Sequence, residues 1–390
     1  GDLWREHGAM SLILTLNAGS SSIKFGLYRA AAEPDEVLRG QIDGLGPAAR
    51  LVIEAEGGRT VTGIGAADHG TGLAALMEAL GPHLAGQEIA GVGHRVVHGG
   101  SDIDRPRVIG DALIAQLAAL NPLAPLHQPH NLAAIAAARA AFPGAVQVAS
   151  FDTAFHRGHP WVNDTFALPR RFYDQGVRRY GFHGLSYDYI TGKLRADHPD
   201  LAQGRVIIAH LGNGASLCAT QGGRSIGSTM GFSALDGMPM GTRSGQLDPG
   251  VLLYFLDQGM TGEEITTLLY KDSGLKGLSG LSHDMRTLLA SNAPEAAQAI
   301  DYYVFRLGRE IGAMAAVLGG VDALVFTGGI GEHAAPIRAR AMDRLAFLGL
   351  TVDADANAVN APRIDSGPVP ILVIPTDEER VIARATNAHF

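Results

Sequence analysis

The 390-residue sequence is poor in several features that mark particular classes of protein. It contains one cysteine, Cys218, so an internal disulfide is excluded, and such sparing use is typical of the reducing cytoplasm. No run of about 18 uninterrupted apolar residues occurs, which argues against a membrane-spanning helix. Only 18% of the residues are charged and the formal net charge is -8, which disfavours a general role in binding nucleic acid or a membrane surface.

Several familiar motifs are missing as well. The first glycine-rich loop is neither a Gly-x-x-x-x-Gly-Lys-Ser/Thr loop nor a Gly-x-Gly-x-x-Gly turn opening a helix, so P-loop and dinucleotide folds are not supported. The zinc spacing His-Glu-x-x-His is absent, and Gly19–Ile23 does not supply the Gly-x-Ser-x-Gly elbow of a hydrolase.

The most informative segment that is present is LILTLNAGSSSIKFGLY, from Leu12 to Tyr28. Two runs of strand formers flank a turn of small, hydroxyl-bearing residues, which predicts a strand, a tight loop and a returning strand. Backbone N–H groups, three hydroxyls, the Asn17 amide and the Lys24 ammonium suit an anion such as phosphate. The alternative is an ordinary hairpin turn, because Asn, Gly and Ser form turns without any ligand.

Two further glycine-rich loops follow apolar strands. Val206–Ala209 leads into His210–Gly214, with Ser216–Thr220 as the returning strand, and Leu324–Thr327 leads into Gly328–His333. Three such loops, spread over both halves, predict a weak internal duplication with a ligand held between two related lobes. Two domains are also the natural expectation for a chain of this length.

The remaining patterns alternate between helix and strand, which predicts an α/β chain. Predicted helices are Asp111–Leu120, Asn131–Ala141, Ala296–Leu318 and Ala334–Leu345, and predicted strands include Val146–Phe151 and Ile371–Ile374. The apolar stripe of Ala296–Leu318 is interpreted as core. Residues 1–9 match neither a signal peptide nor a strand and are interpreted as a vector-derived remnant, because Met10 directly precedes the first strand.

Isolated charged and imidazole residues concentrate in turns and at strand ends. Arg95 and Arg243 lie in glycine-rich segments, and Asp152 follows a predicted strand at the location favoured for function in open α/β sheets. His98 and His156 are each open to two interpretations, a hydrogen-bonded structural histidine or a functional group. Phosphate loops, arginines and late acidic residues together favour phosphoryl transfer, which needs positive charge, Mg²⁺ and a positioned nucleophile.

Eight motifs resemble, in order, those of the acetate kinase family of short-chain acid kinases, from Leu12 essentially to the C-terminus. They read NAGSSSIKF, GHRVVHGG, FDTAFH, RYGFHG, HLGNG, MGTRSG, FTGGIGEH and TDEE. The resemblance implies two ribonuclease-H-like lobes of duplicated origin around a nucleotide cleft, as in actin, sugar kinases and heat-shock chaperones. It implies a first lobe of residues 10–150 and 376–390 with the phosphate, Mg²⁺ and acyl-site loops, and a nucleotide-binding second lobe of residues 151–375.

The reaction implied is reversible, direct in-line transfer of the ATP γ-phosphate to acetate, which yields acetyl phosphate and ADP. Motif matching assigns Mg²⁺, or alternatively Mn²⁺, to Asn17 and Glu378. The catalytic residues implied are Arg95, Asp152, His183 and Arg243; those contacting the acid are Arg95, Val97, Leu126 and Phe182. Nucleotide contacts are implied for Lys24, His210, Leu211, Gly212, Asn213, Gly214, Asp284, Met285, Arg286, Gly329, Ile330, Gly331, Glu332 and His333. A carboxylate acceptor is already ionised at neutral pH, which favours orientation over deprotonation for Asp152.

Three positions depart from the family pattern: Ala234 replaces a frequent proline, Gln246 a frequent aspartate and Asp377 a frequent asparagine. Ala234 makes propionate a serious rival to acetate, because one methylene is worth only about 1–3 kcal/mol of discrimination. Two other functions stay open, a non-catalytic ATP-binding switch and a sugar kinase. The isolated Arg95, Arg243 and His183 argue against the switch, and the apolar acid-contact set argues against a polyol substrate. A cytoplasmic homodimer without nucleic-acid or membrane partners is expected.

Overall fold

The computed structural model describes residues 11–390. Residues 1–10, and with them the segment interpreted as a remnant, lie outside the described residues. The chain forms two compact units: the first ends at Ala154 and resumes over Asp377–Phe390, and the second is Phe155–Thr376. Each unit is built on its own β-sheet, so the α/β class predicted from the sequence is confirmed.

The first unit begins with a series of strands and continues as strands alternating with helices. Its elements are β1 (Leu12–Ala18), β2 (Ser22–Arg29), β3 (Asp35–Asp43), β4 (Gly46–Ala55), β5 (Gly58–Ala67), α1 (His69–Leu84), β6 (Ile89–Val96), β7 (Arg107–Val108), α2 (Asp111–Ala118), α3 (Gln128–Ala141) and β8 (Val146–Phe151). Short 3₁₀ turns follow α2 at Asn121–Leu123 and β8 at Ala154–His156. The sheet has the order β5-β4-β3-β2-β1-β6-β8-β7.

The second unit contains a five-stranded sheet with helices before, between and after its strands. Its elements are α4 (Trp161–Asp164), α5 (Arg170–Asp174), α6 (Gly184–Asp197), α7 (Pro199–Ala202), β9 (Arg205–Leu211), β10 (Ala215–Gln221), β11 (Arg224–Ser228), α8 (Pro249–Asp257), α9 (Gly262–Lys271), α10 (Gly274–Ser279), α11 (Met285–Ala290), α12 (Pro294–Leu318), β12 (Ala323–Thr327), α13 (Gly328–His333), α14 (Ala335–Met342), α15 (Ala354–Ala358) and β13 (Ile371–Val373), with a 3₁₀ turn at Ala346–Leu348. The strand order is β11-β10-β9-β12-β13, and the chain then returns to the first unit as α16 (Glu378–Asn387).

The opening hairpin has the predicted form. β1 and β2 pair antiparallel with Asn17 opposite Lys24, and the turn is closed by the Gly19 N–H, which donates to the Ser22 carbonyl at 2.8 Å. Alternate side chains of the pair, among them Leu16 and Phe25, are buried in the core that α1 and α3 cover.

The core of the second unit confirms one prediction and corrects another. α12 buries the predicted apolar stripe on one face, which includes Tyr303 and Leu307. The segment Gly328–His333, predicted as a loop, is the short helix α13, because Gly328 takes a φ of +78° and turns the chain from β12 directly into a helix. Among residues 11–390, no helix is both long and apolar enough to cross a membrane.

α16 packs closely on β6 because that strand presents a glycine to it. A β-carbon on Gly93 would lie 2.3 Å from Thr386 Oγ1 and 2.5 Å from Ile382 Cγ2. The missing side chain therefore sets how near α16 comes to the sheet. Glu378 is the first residue of that helix.

We expect Gly93→Ala to destabilise the protein by about 1–3 kcal/mol, because the added methyl group overpacks a close contact. Gly312→Ala is the matched control: Gly312 lies inside α12 with nothing within 4 Å of the added β-carbon. There, alanine should stabilise by about 1 kcal/mol through helix propensity. Urea unfolding measures the free energy of unfolding of both variants. If Gly93→Ala changed it in the same direction and by the same amount as Gly312→Ala, the close contact at Gly93 would be contradicted.

Candidate active site

The predicted polar residues of the first unit meet at one edge of its sheet. β6 runs parallel to β1 on one side and to β8 on the other. Asn17 and Arg95 lie near the carboxyl ends of β1 and β6, and Asp152 immediately follows β8. The carboxyl ends of parallel strands are where open α/β sheets bind ligands.

Arg95 is held between two carboxylates. Its Nε donates to Asp152 Oδ2 at 2.9 Å, its Nη2 donates to Asp152 Oδ1 at 2.8 Å, and Nη2 also lies 2.6 Å from Glu378 Oε2. Burial alone would lower the pKa of Arg95, but the two carboxylates outweigh it and raise that pKa, so the guanidinium stays charged. Burial raises the pKa of the Asp152 carboxyl, and the pair with Arg95 opposes that rise.

Two buried amides of α3 hold the loop after β6, and the sequence reasoning missed both. Asn131 accepts from the Val97 N–H at 2.9 Å and donates to the Ala18 carbonyl at 2.9 Å, which ties this loop to the end of β1. Gln128 accepts from the His98 N–H at 3.2 Å and donates to the His98 carbonyl at 2.9 Å. A signal existed in the sequence, since both amides recur at helical spacing on the buried face of α3.

The predicted metal ligands supply hard oxygen donors. Asn17 offers an amide and Glu378 a carboxylate, and both belong to the first unit. Among residues 11–390, no group of three or more His, Cys, Asp or Glu could hold a metal. This donor set fits Mg²⁺, which keeps several waters and usually takes one or two carboxylates together with substrate phosphates. Lys24 lines a cavity of about 310 Å³ with Arg39 and Glu379.

His183 occupies an unusual backbone position in the second unit. It precedes α6 with φ 56° and ψ 23°, a left-handed conformation that a non-glycine residue adopts only where its surroundings impose it. Its Nδ1 lies 2.8 Å from Ser216 Oγ, a hydroxyl that also bonds the Tyr187 hydroxyl. The His210 ring lies against the His183 ring with centroids 4.3 Å apart and the planes tilted by 30°, and His210 Nδ1 lies 2.8 Å from Ser186 Oγ.

Arg243 lies beside His183 at one glycine. A β-carbon on Gly214 would be 3.1 Å from Arg243 Nη2 and 3.3 Å from His183 Nε2. Arg243 Nη1 donates to the Ala234 carbonyl at 2.7 Å, and burial lowers the pKa of the Arg243 guanidinium. Within residues 11–390, no carboxylate forms an ion pair with Arg243, so its charge is available to an anion.

A cavity of about 710 Å³ brings together eight of the predicted nucleotide residues, all in the second unit. Those eight are Gly212, Asn213, Asp284, Met285, Arg286, Gly329, Ile330 and His333. The walls also contain residues that motif matching missed: Gly241, His283, Leu289, Ala334 and Pro336. Asp284 caps α11 through the Arg286 N–H and pairs with the Arg286 guanidinium at 3.1 Å.

The other predicted site residues do not line this cavity. His210 and Leu211 lie in β9, Gly214 precedes β10, and Gly331 and Glu332 lie in α13. Val97 and Leu126 belong to the first unit with Lys24, whereas Phe182 belongs to the second.

Arg338 supports α13 from behind, and sequence reasoning missed it because it carries no recognisable motif. It is fully buried, and its Nη1 donates to the Gly331 carbonyl at 2.9 Å. Its Nε donates to Asn357 Oδ1 at 2.8 Å, and Nη2 donates to the Asn357 carbonyl at 2.8 Å and to Asn360 Oδ1 at 2.5 Å. Neutral acceptors therefore satisfy a buried cation directly behind the glycine-rich helix.

Comparison with known proteins decides the family. The Acetokinase family matches residues 12–384. The chain belongs to the acetokinase family. It is 51% identical over 393 residues to the acetate kinase of Methylocella silvestris, which covers 96% of this chain and 97% of that protein.

Two solved kinase structures share the fold. A propionate kinase from Francisella tularensis subsp. tularensis has a TM-score of 0.92 at 35% identity and covers 97% of this chain and 100% of its own. The Porphyromonas gingivalis acetate kinase has a TM-score of 0.89 at 36% identity and covers 96% of this chain and 98% of its own. The family resemblance is confirmed, and the chain shares the fold of these two kinases.

Two departures from the acetokinase pattern keep a local role. Ala234 acts through its carbonyl, which accepts from Arg243 and which any residue would provide. Asp377 caps α16 by accepting from the Arg380 N–H at 3.2 Å, and it pairs with Arg380 Nε at 3.1 Å. Aspartate and asparagine are both good N-caps, but only aspartate adds the ion pair.

The third departure sits between two arginines. Gln246 Oε1 accepts from Arg306 Nη2 at 2.6 Å and from Arg309 Nη1 at 3.0 Å. The amide keeps the acceptor that a carboxylate would offer but lacks its charge. Glu310 lies near the same arginines; burial raises its pKa, and they oppose that rise.

Three buried histidines are expected to make the fold sensitive to acid. Burial lowers the pKa of His94 to about 4, of His156 to about 3 and of His159 to about 4. The pKa of an unfolded histidine is about 6.5, so between about pH 6.5 and 4 the unfolded chain binds more protons than the folded one. The free energy of unfolding should fall as the pH is lowered through this window, by up to about 1.4 kcal/mol per pH unit for each histidine.

Urea unfolding at about pH 7.5, 6 and 5 measures this dependence. His94→Gln should make it shallower, whereas His389→Gln, which alters an exposed side chain, should match the wild type. If the free energy of unfolding of His94→Gln depended on pH as strongly as that of the wild type, buried His94 would not be a source of the acid sensitivity.

Proposed function

We propose that the chain is an acetate kinase, which transfers the γ-phosphate of ATP reversibly to acetate and yields acetyl phosphate and ADP. The observation that carries the proposal is Arg243 and His183 beside Gly214, next in sequence to the cavity residues Gly212 and Asn213. Arg243 forms no ion pair with a carboxylate of residues 11–390, and His183 Nε2 lies beside the same glycine. A guanidinium and an imidazole in this arrangement suit the equatorial oxygens of a phosphoryl group in transfer.

The first unit handles the acid and the metal in this proposal. Arg95, fixed by Asp152, orients the carboxylate of the acid, and Asn17 and Glu378 hold Mg²⁺, with Mn²⁺ as the alternative. When bound, the ion neutralises charge on the donor phosphates. The acid is already ionised at neutral pH, so Asp152 orients its partner and need not remove a proton.

The second unit handles the nucleotide. The adenosine is contacted by Asp284, Met285 and Arg286 together with Gly329–His333. The phosphates are contacted by His210–Gly214. Lys24 is proposed as a further phosphate contact. Val97, Leu126 and Phe182 are proposed to contact the methyl group of the acid. The chemistry is direct in-line transfer, since no nucleophilic side chain is required when the acceptor itself is a carboxylate.

Propionate is the second candidate substrate. A solved propionate kinase shares the fold at a TM-score of 0.92, and the small Ala234 is compatible with a larger acyl group. The relatives are kinases, which disfavours the non-catalytic switch.

A cytoplasmic homodimer is proposed as the form that acts. The buried, reduced Cys218 is compatible with a reducing compartment. Leu253, Tyr254 and Leu256 of α8 are large apolar side chains with 68%, 60% and 52% exposure, which is the kind of surface that a second subunit covers.

The activity is tested by acyl hydroxamate formation from ATP, Mg²⁺, hydroxylamine and acetate. Arg243→Ala should lower turnover by about 10³–10⁵-fold, the range for an arginine at a transferring phosphoryl group. Arg224→Ala removes an exposed arginine of β11 and should leave turnover near that of the wild type. No product with any short-chain acid would overturn the proposed function, and near-normal turnover of Arg243→Ala would overturn its assignment.

Acid preference is tested with acetate, propionate and butyrate under the same conditions. We expect acetate to exceed propionate in kcat/KM by about 10–200-fold, the discrimination that one methylene provides in an apolar pocket. A higher kcat/KM for propionate would replace acetate by the second candidate.

A further inference from the structure

The turn before α6 carries two residues of the proposed chemistry in a constrained conformation. Gly181 has a φ of +82° and His183 a φ of +56°, with Phe182 between them. A left-handed non-glycine residue costs on the order of 1–3 kcal/mol and persists only where the surroundings fix it. The hydrogen bond between His183 and Ser216 holds the His183 ring but does not involve the Phe182 carbonyl. A buried carbonyl needs a hydrogen-bond donor of its own.

The donor is a second imidazole. His156 is fully buried, and its Nε2 lies 2.9 Å from the Phe182 carbonyl oxygen. A β-carbon on Gly181 would lie 2.6 Å from the same ring, so the imidazole packs directly against the turn. A carbonyl oxygen only accepts, so Nε2 carries the proton.

That assignment fixes the direction of the two hydrogen bonds that join Ser225 to the histidines. With Nε2 protonated, Nδ1 of the neutral ring is an acceptor, and Ser225 Oγ at 2.7 Å must donate to it. Ser225 has then used its only proton, so it accepts from His159 Nε2 at 2.7 Å. His159 Nδ1 is left as a lone pair; it is buried without a hydrogen-bond partner among residues 11–390, which costs less than a buried N–H would.

We propose that His156 is a positioning residue for the phosphoryl-transfer step: the relay His159–Ser225–His156 clamps the Phe182 carbonyl and thereby sets the orientation of the His183 imidazole and the Phe182 ring. This rests on the proposed function, since it assigns a consequence to the roles of these two residues. His156 touches neither phosphate nor acid in this account and acts only through the turn.

Two neutral substitutions separate the clamp from simple loss of the ring. Gln can place its amide N–H near the position of Nε2 and keep the bond to the Phe182 carbonyl, whereas Asn is too short to reach it and mimics only Nδ1. His156→Asn should lower kcat/KM for acetate on the order of tenfold, which corresponds to one net hydrogen bond. His156→Gln should stay within about threefold of the wild type, and the KM for ATP should change less than about twofold in both.

A structural role alone gives a different result. Equal losses in His156→Asn and His156→Gln, or losses in which the KM for ATP rises along with that for acetate, would overturn the proposal. Should His156→Asn fail to fold, Ser225→Ala removes the hydroxyl that donates to His156 Nδ1 and should show the same split between acetate and ATP.

The tautomer itself is measured on the unmodified protein by long-range ¹H–¹⁵N correlation with labelled histidine. His156 should be the Nε2–H tautomer and remain neutral from about pH 8 to 5, and His156→Gln identifies its signals. The Nδ1–H tautomer would overturn the relay. This measurement needs no turnover: a wild type without kinase activity defeats the proposed function, whereas the wrong tautomer in an active enzyme defeats only the clamp.

Discussion

The ion pair of Arg95 with Asp152 and Glu378 is the constraint on which the first unit depends. The three residues come from the end of β6, the end of β8 and the start of α16, so one guanidinium joins positions 95, 152 and 378 of the chain. Breaking such a buried pair leaves an uncompensated charge, which costs about 3–5 kcal/mol. The pair therefore requires the last helix to return to the first sheet, and Gly93 lets that helix come near enough.

The two proposed catalytic arginines differ in how their charge is balanced. Two carboxylates fix Arg95, so an acid that binds there meets an oriented donor and not a free cation. Arg243 is held by a neutral carbonyl, and burial lowers the pKa of its guanidinium. A phosphate bound beside it would raise that pKa again, because a nearby negative charge favours the charged form. Arg95 therefore contributes mainly a fixed orientation, and Arg243 contributes positive charge where negative charge would accumulate during transfer.

Local features were predictable from the sequence, and long-range ones were not. Alternation and turn chemistry specify the hairpin around Asn17, and periodicity specifies α12, because both signals lie within one element. The prediction of a loop for Gly328–His333 was wrong. Glycines are typical of loops, but here a single glycine in the left-handed conformation, Gly328, begins a helix. Gln128 and Arg338 escaped notice because their partners lie 30 and 7 residues away and share no motif with them.

Asp152 shows how geometry narrows a role that the sequence leaves open. Both of its carboxylate oxygens accept from Arg95 in a bidentate pair, so each oxygen is already engaged by a guanidinium N–H. A proton acceptor in catalysis would have to give up part of this pair when it is protonated, and the charged partner opposes that protonation. The acceptor is a carboxylate and has no proton to remove. No step of the proposed transfer therefore needs Asp152 to accept a proton and weaken its pair with Arg95. We therefore infer that Asp152 acts by fixing Arg95, and that the acid site is organised by orientation and not by proton transfer.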